Sequence, residues 1–327
     1  MKINPSPTGR TITPPPYIQT NVPLADKNWF QTGGNAHYFS APTTHQAFQD
    51  ALAFANEHKL PVFILGCGAN ILISDTGFDG LVIHPDLQEI NINPTQDHVL
   101  LQAGSGVTME RLINHCLEHN ILGLEEFSGI PGTVGGSVYI NLHYFEFLLE
   151  QFLVTAQVIH KTTGIISTVT KEWFNFGYNQ STLQQHDYYL LSATFKLKAA
   201  SDIQTAYAKG RSAEIIRHRY KRYPTSHTCG SFFRNFHEHE VTLTTPQGKK
   251  NIFVAYYLDK IGVKGALKVG GAAVSHQHAN MLINNGSATS TDIITLARTM
   301  QELVYQEFGI IPQPECLLVG FEKYPLM

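Results

Sequence analysis

The sequence predicts an α+β protein with two domains, or at most three. The chain has 327 residues, against roughly 150 in an average domain. Hydrophobic residues make up 43% of it and charged residues only 15%, which is the composition of a folded protein. Many short apolar segments typical of strands are mixed with longer segments in which apolar residues recur at helical spacing.

The elements of the first half follow from these patterns. Residues 1–27 are rich in proline, which fixes an extended backbone, and we expect a flexible N-terminal arm. The folded part begins at residue 28. The patterns then predict a helix at 44–58, strands at 61–65, 71–74, 80–84 and 99–104, and a helix at 107–119.

The second half shows the same mixture. Strands are predicted at 153–160, 188–197, 266–275, 280–284 and 316–321, and helices at 203–220, 252–261 and 290–308. A polar break near residue 200 separates a strand from a helix. We therefore predict one domain over 28–200 and a second over 201–327.

Charge and hydropathy exclude several classes of function. Lysine and arginine total 23 against 26 acidic residues, a net charge of −3, so no basic excess is available to bind nucleic acid. No apolar stretch approaches the roughly 18 residues that span a bilayer. The N-terminus lacks the apolar segment of a secretory signal, and we expect a cytoplasmic protein.

The cysteines and histidines do not predict a metal site. Four cysteines, Cys67, Cys116, Cys229 and Cys316, are too widely spaced for a zinc motif and are expected to be buried or free thiols. The pairs His237/His239 and His276/His278 could each face one side of a strand, but neither has a third ligand nearby in the sequence.

Three glycine-rich loops carry the functional prediction. The first, 66–70, resembles a dinucleotide loop, but Ile71 occupies the position of the third glycine and a strand follows, which excludes a Rossmann site. The second is 104–106. The third, 128–136, holds four glycines and a proline and is expected to be neither helix nor regular strand. Together the loops predict a large phosphate-bearing cofactor held by backbone amides.

Several segments resemble one family in the right order. They are 65–83, 123–136, 229–235, 258–284 and 314–318. On these segments the chain resembles the UDP-N-acetylenolpyruvoylglucosamine reductases. The resemblance implies an FAD-binding domain of the vanillyl-alcohol-oxidase type in two subdomains, followed by a C-terminal α+β substrate domain. It implies that NADPH reduces FAD, which then reduces a UDP-N-acetylglucosamine enolpyruvyl ether to UDP-N-acetylmuramate for peptidoglycan synthesis.

The resemblance also assigns residues. Ser231 is the expected proton donor and Glu315 is expected to assist at the enolate, the charge of which must be met by positioned donors. The expected FAD contacts are Gly66, Cys67, Gly68, Ala69, Asn70, Gly104, Ser128, Gly129, Ile130, Pro131, Gly132, Thr133, Gly135, Gly136 and Asn141, with the backbone of 104–106. The expected substrate contacts are Tyr178, Ser181, Lys221, Asn235 and His278.

The chain departs from the family pattern in three places. Asn179 stands where a catalytic arginine is expected, so a neutral donor replaces a charge. The candidates for a substitute cation are Arg219, Lys221, Arg222 and Arg234. His143, Tyr144 and Phe145 replace small residues near the flavin. The link from Ser181 to Tyr188 is short, as in the family branch that lacks a substrate lid.

Three interpretations remain open. The chain is an active reductase with a compensated site, a flavoprotein that acts on another substrate, or a non-enzymic relative that binds flavin or nucleotide. The partners expected for the first are a small UDP-sugar substrate, FAD and NADPH, with no obligate protein partner, no nucleic acid and no membrane insertion.

Overall fold

The computed structural model describes residues 13–327. Its strands are β1 Gln19–Pro23, β2 Asn35–Ser40, β3 Val62–Ile64, β4 Ile71–Ile73, β5 Phe78–Ile83, β6 Ile90–Pro94, β7 Val99–Gly104, β8 Ile121–Leu122, β9 His143–Tyr144, β10 Phe147–Leu148, β11 Leu153–His160, β12 Ile166–Thr170, β13 Tyr188–Ala199, β14 Lys268–Val269, β15 Ala272–Val274, β16 Leu282–Asn284 and β17 Leu317–Val319. Its α-helices are α1 His45–Glu57, α2 Met109–Glu118, α3 Val134–Tyr139, α4 Asp202–Arg222, α5 Val254–Lys260 and α6 Ser290–Phe308.

A four-stranded sheet of order β1-β2-β5-β3 forms the N-terminal part of the molecule. β5 pairs in parallel with β2 and β3, while β1 pairs antiparallel with β2. The prediction of an arm over 1–27 is therefore wrong for residues 19–23, which form an edge strand flanked by the buried Ile18 and Leu24. Residues 1–12 of that predicted arm lie outside the described residues.

A six-stranded sheet forms the second part and is antiparallel throughout. Its order is β12-β11-β13-β7-β6, with the short β8 also paired to β13. Helices α2 and α3 cover it, and their apolar faces join the largest core cluster, in which Leu112, Phe127 and Phe195 are fully buried. This sheet positions the 104–106 loop at the end of β7.

The C-terminal part consists of the sheet β14-β15-β16 with α6 packed against it and α5 packed against α6. Its core includes Phe30 and Leu72 from the N-terminal part, and β17 pairs in parallel with β4. The chain end therefore returns to the first sheet. The boundary predicted at residue 200 stays a prediction, and it coincides with the N-terminus of α4, where Ser201 and Gln204 cap each other reciprocally.

The helices and strands predicted from the sequence are present with small shifts at the ends, except at 266–275. That segment was predicted as a strand but folds into two short antiparallel strands, β14 and β15, joined by a turn. The prediction that 128–136 contains no helix is wrong, because α3 begins at Val134 inside this glycine-rich segment. Among the described residues no helix is long and apolar enough to cross a membrane. All four cysteines are free thiols, as predicted, and three of them are buried.

Candidate active site

The three glycine loops meet at Thr133. Val134 and Gly135 donate backbone hydrogen bonds to Val107 and Ser105 (2.8 and 2.9 Å), which joins the 128–136 segment to the 104–106 loop. A Cβ atom on Gly66 would lie 2.8 Å from Oγ1 of Thr133, so the 66–70 loop approaches the same point. Glycine in these loops therefore allows three separate chain segments to converge.

The 66–70 loop offers unpaired donors. Within residues 13–327, the backbone N–H groups of these five residues have no protein acceptor. Gly68 has φ +64°, and a Cβ there would lie 2.5 Å from the carbonyl oxygen of Lys27. Successive free amides in a loop with a left-handed residue form a site for an anion such as a diphosphate.

A cavity of about 680 Å³ adjoins this loop. Its volume lies in the range of small-molecule sites. Besides Gly66 and Cys67 it is lined by residues from four other segments: Asp26, Lys27, Asn28, Trp29, Gln31, Phe39, Ala41, His84, Thr225, Ser226 and His227. The sequence analysis did not identify these additional residues as site residues. They carry no shared motif, and only the packing of the C-terminal part against the first sheet brings them together.

The 104–106 loop has its amides occupied. Gly104, Ser105 and Gly106 donate to the carbonyl oxygens of Glu89, Leu191 and Leu87. A contact of Gly104 with a cofactor would have to use other atoms than its amide. The hydroxyl of Ser105 is buried and has no hydrogen-bond partner among the described residues, which leaves one polar group of this loop available to a ligand.

The glycines of the third segment show where a cofactor fits. The Thr133 side chain accepts from the Gly136 amide (3.2 Å) and caps α3. A Cβ on Gly132 or Gly136 would meet only a side-chain oxygen at 3.3 or 3.6 Å, so packing of the protein does not require glycine there. Ser128 is committed to the protein, because its hydroxyl donates to Glu125 and contacts Ser212. The unpaired 66–70 amides are donors of the kind that a dinucleotide diphosphate takes, and at Gly132 and Gly136 only a hydroxyl oxygen approaches the Cβ position.

The C-terminal segment brings Glu315 to the end of the 66–70 loop. β17 pairs with β4, which follows this loop directly, and Leu317 donates to the Asn70 carbonyl (3.0 Å). The Asn70 side chain also reaches the Glu315 carbonyl (3.5 Å). The Glu315 amide donates to the carbonyl of Phe232 (2.8 Å), the residue after Ser231. Two residues that are 84 positions apart in sequence therefore flank one point beside the predicted cofactor loop.

Asn179 occupies the tip of a tight turn next to Glu315. Gly177 and Gln180 exchange two backbone hydrogen bonds (3.1 and 3.2 Å), and Asn179 has φ +54°, a conformation that asparagine tolerates well. Its amide nitrogen and oxygen are both buried without a hydrogen bond of good geometry among the described residues. Such an unsatisfied amide beside the Glu315 carboxyl indicates a place for a polar ligand group.

The surroundings of Glu315 raise the pKa of its carboxyl to near neutral pH. Burial raises the pKa of its carboxyl to about 7, and the neighbouring Asn179 amide offsets only part of this rise. At neutral pH a substantial fraction of Glu315 is therefore protonated and able to donate a hydrogen bond. The carboxyl also lies close enough to Tyr178 to raise the pKa of that phenol, after burial itself.

The cations near this point are engaged elsewhere. Both guanidinium NH groups of Arg234 bind the Glu240 carboxylate (2.7 and 2.8 Å), and this pairing lowers the pKa of Glu240 to about 2. Arg219 donates from Nε to the Gly129 carbonyl (3.0 Å) and lies over the Tyr144 and Tyr223 rings. Arg222 lies over the Tyr223 ring as well.

The aromatic residues at 143–145 form a hairpin, with β9 paired to β10. The His143 ring contacts Tyr178 (centroids 5.0 Å apart), while Phe145 at the tip is 68% exposed. Asn141 holds the hairpin and the 177–180 turn together, because its amide donates to Gly177 and accepts from Glu150. These contacts engage the Asn141 side chain in positioning Tyr178 and Asn179.

The other residues expected to contact the substrate do not all lie near Tyr178. Asn235 lies close enough to Tyr178 for a side-chain hydrogen bond. The Ser181 hydroxyl donates to the Tyr139 carbonyl (2.7 Å), which engages it in the protein. His278 packs against Tyr223 and accepts from the Asn280 amide (3.2 Å). Lys221 is exposed in the last turn of α4. The structure therefore groups Tyr178, Asn179, Asn235 and Glu315, while Ser181 and Lys221 stand apart.

The chain is similar in sequence to proteins of one reductase family. The family model for the UDP-N-acetylenolpyruvoylglucosamine reductase C-terminal domain matches residues 222–319, and that for an FAD binding domain matches 36–168. A UDP-N-acetylenolpyruvoylglucosamine reductase of Lactobacillus delbrueckii subsp. bulgaricus is 34% identical over 93% of this chain and 96% of its own. One from Clostridium botulinum is 32% identical over 94% of each chain.

A solved structure shows the same fold. The crystal structure of the UDP-N-acetylenolpyruvylglucosamine reductase from Thermus caldophilus superimposes with a TM-score of 0.73 at 26% identity, covering 91% of this chain and 97% of that one. The predicted fold class is confirmed: an α+β protein with an FAD-binding domain of the vanillyl-alcohol-oxidase type in two subdomains and a C-terminal α+β domain.

Proposed function

Because this chain belongs to the UDP-N-acetylenolpyruvoylglucosamine reductase family, we propose that it reduces UDP-N-acetylglucosamine enolpyruvate to UDP-N-acetylmuramate. The reductant is NADPH, the resident cofactor is FAD, and the setting is peptidoglycan precursor synthesis in the cytoplasm. The observation that carries the proposal is the Glu315 carboxyl, whose pKa burial raises to about 7. It lies beside the unsatisfied Asn179 amide, and its backbone is hydrogen-bonded to Phe232, the residue after Ser231.

The protein holds the cofactor through its backbone. The free amides of 66–70 bind the diphosphate, and the rest of the molecule lies along Gly132 and Gly136, where a Cβ would meet only a hydroxyl oxygen. When bound, FAD supplies the hydride that saturates the enolpyruvyl double bond.

Ser231 delivers the proton that completes the reduction. Its hydroxyl makes no hydrogen bond within the described residues, and a bridge to Met281 positions its backbone. A hydroxyl that no protein group engages is available for proton transfer to the carbon next to the substrate carboxylate. A serine hydroxyl is a weak acid, so this step requires the negative charge that develops on the substrate during hydride addition.

Glu315 and Asn179 stabilise that negative charge by hydrogen bonds, without a positively charged side chain. With asparagine in place of arginine, no positive charge lowers the pKa of Glu315, and a substantial fraction of the carboxyl stays protonated at neutral pH. Protonated Glu315 and the Asn179 amide then donate two neutral hydrogen bonds to the developing enolate. Two of the candidate cations are engaged elsewhere, because Arg234 is paired with Glu240 and Arg219 is held at Gly129.

Separate measurement of the two half-reactions tests these roles. In Ser231→Ala, anaerobic stopped-flow absorbance should show flavin reduction by NADPH at the wild-type rate. Reoxidation by the enolpyruvyl substrate should slow by about 10²- to 10⁴-fold. Ser287→Ala, at an exposed serine, is the matched control and should leave both rates unchanged.

The same traces separate the alternatives. An equal loss of both half-reactions would remove Ser231 from proton transfer. Wild-type flavin that NADPH bleaches but the substrate does not restore would indicate a flavoprotein with another acceptor. Purified protein without flavin absorbance would favour the non-enzymic relative.

A further inference from the structure

Two histidines and a glutamate form a cluster at the end of α2. His115, Glu118 and His119 stand at positions i, i+3 and i+4 and therefore share one face of the helix. One potential ligand atom from each lies within 4.8 Å of the others. The two imidazole ring centroids are 4.2 Å apart. These residues are not among the histidine pairs, His237/His239 and His276/His278, that the sequence pointed to.

The geometry orients His119 as a ligand. Its Nδ1 lies 2.8 Å from the carbonyl oxygen of His115, to which it donates as an N–H group. That bond leaves Nε2 with its lone pair free, which is the arrangement that outer hydrogen bonds impose on metal-binding histidines. Within residues 13–327 the Glu118 carboxylate and the His115 ring have no hydrogen bond or ion pair that would compete.

The surroundings are open and mixed in charge. A groove of about 370 Å³ runs beside the cluster, lined by Thr108, Glu110, Arg111, Asn114, His115 and Glu118. The Arg111 guanidinium donates to the side chain of Gln88 (2.6 Å), which ties this positive charge to a neighbouring residue. Water can reach the open coordination positions from the groove.

We propose that His115, Glu118 and His119 bind a divalent transition-metal ion, with Zn²⁺ as the preferred ion. Two imidazoles and one carboxylate are a ligand set that zinc takes, at about 2.0–2.2 Å from each atom, with water in the fourth position. Rotation of the exposed Glu118 side chain and of the His115 ring closes the present separation of up to 4.8 Å, while His119 keeps its bond to the His115 carbonyl. Calcium and magnesium prefer oxygen ligands and are excluded by the histidines.

The metal would stabilise structure rather than take part in the flavin chemistry. It would tie the last turn of α2 to its C-terminal cap, and the first turn of the same helix contacts Thr133 through the bridge with Thr108. The site does not depend on the proposed reductase activity.

Zinc titration of the flavin-loaded full-length protein, stripped of metal by a chelator, tests the proposal. Calorimetry should show one Zn²⁺ per chain, with no saturable binding in His115→Ala or His119→Ala. Glu118→Gln should weaken binding by at least about tenfold. His218→Ala, at an exposed histidine of α4, is the matched control and should bind as the wild type.

Persistent one-to-one binding in both histidine variants would place the zinc elsewhere, for example at the thiols, and would overturn the proposal. Absence of saturable binding to the wild type would also overturn it. The flavin spectrum and its bleaching by NADPH should be identical in all variants, which confirms folding and keeps this test separate from the proposed reductase function.

Discussion

The 66–70 and 104–106 loops look alike in the sequence and differ in what their amides do. In the first loop five consecutive N–H groups have no protein acceptor among the described residues. In the second, each amide donates to a carbonyl of the surrounding fold. Glycine in the first loop leaves donors open to a ligand, whereas glycine in the second lets two chain segments pass closely. Unpaired donors, more than glycine content, therefore distinguish an anion site.

The largest expected effect is the loss of stability in Gly104→Ala. A Cβ there would collide with the backbone carbonyl of Leu87, which the Gly106 amide holds in place by a hydrogen bond, so we expect the unfolding free energy to fall by about 3 kcal/mol. Urea denaturation measures this change. Gly210→Ala is the control, because its Cβ meets nothing within 4 Å on helix α4, and it should stabilise by about 1 kcal/mol. Equal effects in the two variants would contradict the packing role of Gly104.

Glu315, at the end of the first loop, should make stability depend on pH. Burial raises its pKa to about 7 from 4.5, so the folded state binds this proton more tightly than the unfolded chain does. Relative to Glu315→Gln, the stability of the wild type should therefore fall as pH rises from 4.5 to 7, by up to about 3 kcal/mol.

Urea denaturation of both proteins across this pH range measures the difference. Reoxidation of the flavin by substrate should slow over the upper part of the same range in the wild type, and the variant should lack that titration. A stability difference that is constant with pH would show that folding does not raise the pKa of the Glu315 carboxyl.

A smaller effect is expected at Gly132, in the third segment. A Cβ there meets only the Ser137 hydroxyl at 3.3 Å, so Gly132→Ala should keep its unfolding free energy within about 1 kcal/mol. It should weaken FAD binding by about tenfold, because the methyl group enters the space left for the cofactor. Equilibrium dialysis or flavin fluorescence measures the affinity, with Gly210→Ala again as the control. Unchanged FAD affinity would place the cofactor away from this residue.

The predictability of the fold differed between buried and edge elements. The strand at 153–160 and the helix at 290–308 were predicted with their observed bounds, because continuous or helically spaced apolar residues mark them. β1 was missed because it is an almost wholly exposed edge strand without an apolar face. α3 was missed because two glycines oppose helix formation, while the Thr133 cap and the bonds to 105–107 stabilise it.

By itself, the sequence determined the α+β class, the order of the main elements, and the glycine, serine and glutamate motifs that resemble one reductase family. The tertiary structure alone decided which polar groups remain free. Local sequence does not contain the acceptors that occupy the 104–106 amides or the pairing that brings Glu315 beside the 66–70 loop. It also does not show that Arg234 is paired with Glu240 and that Asn179 is left unsatisfied. Long-range packing sets the hydrogen-bond partners and the burial that fix these groups' chemistry.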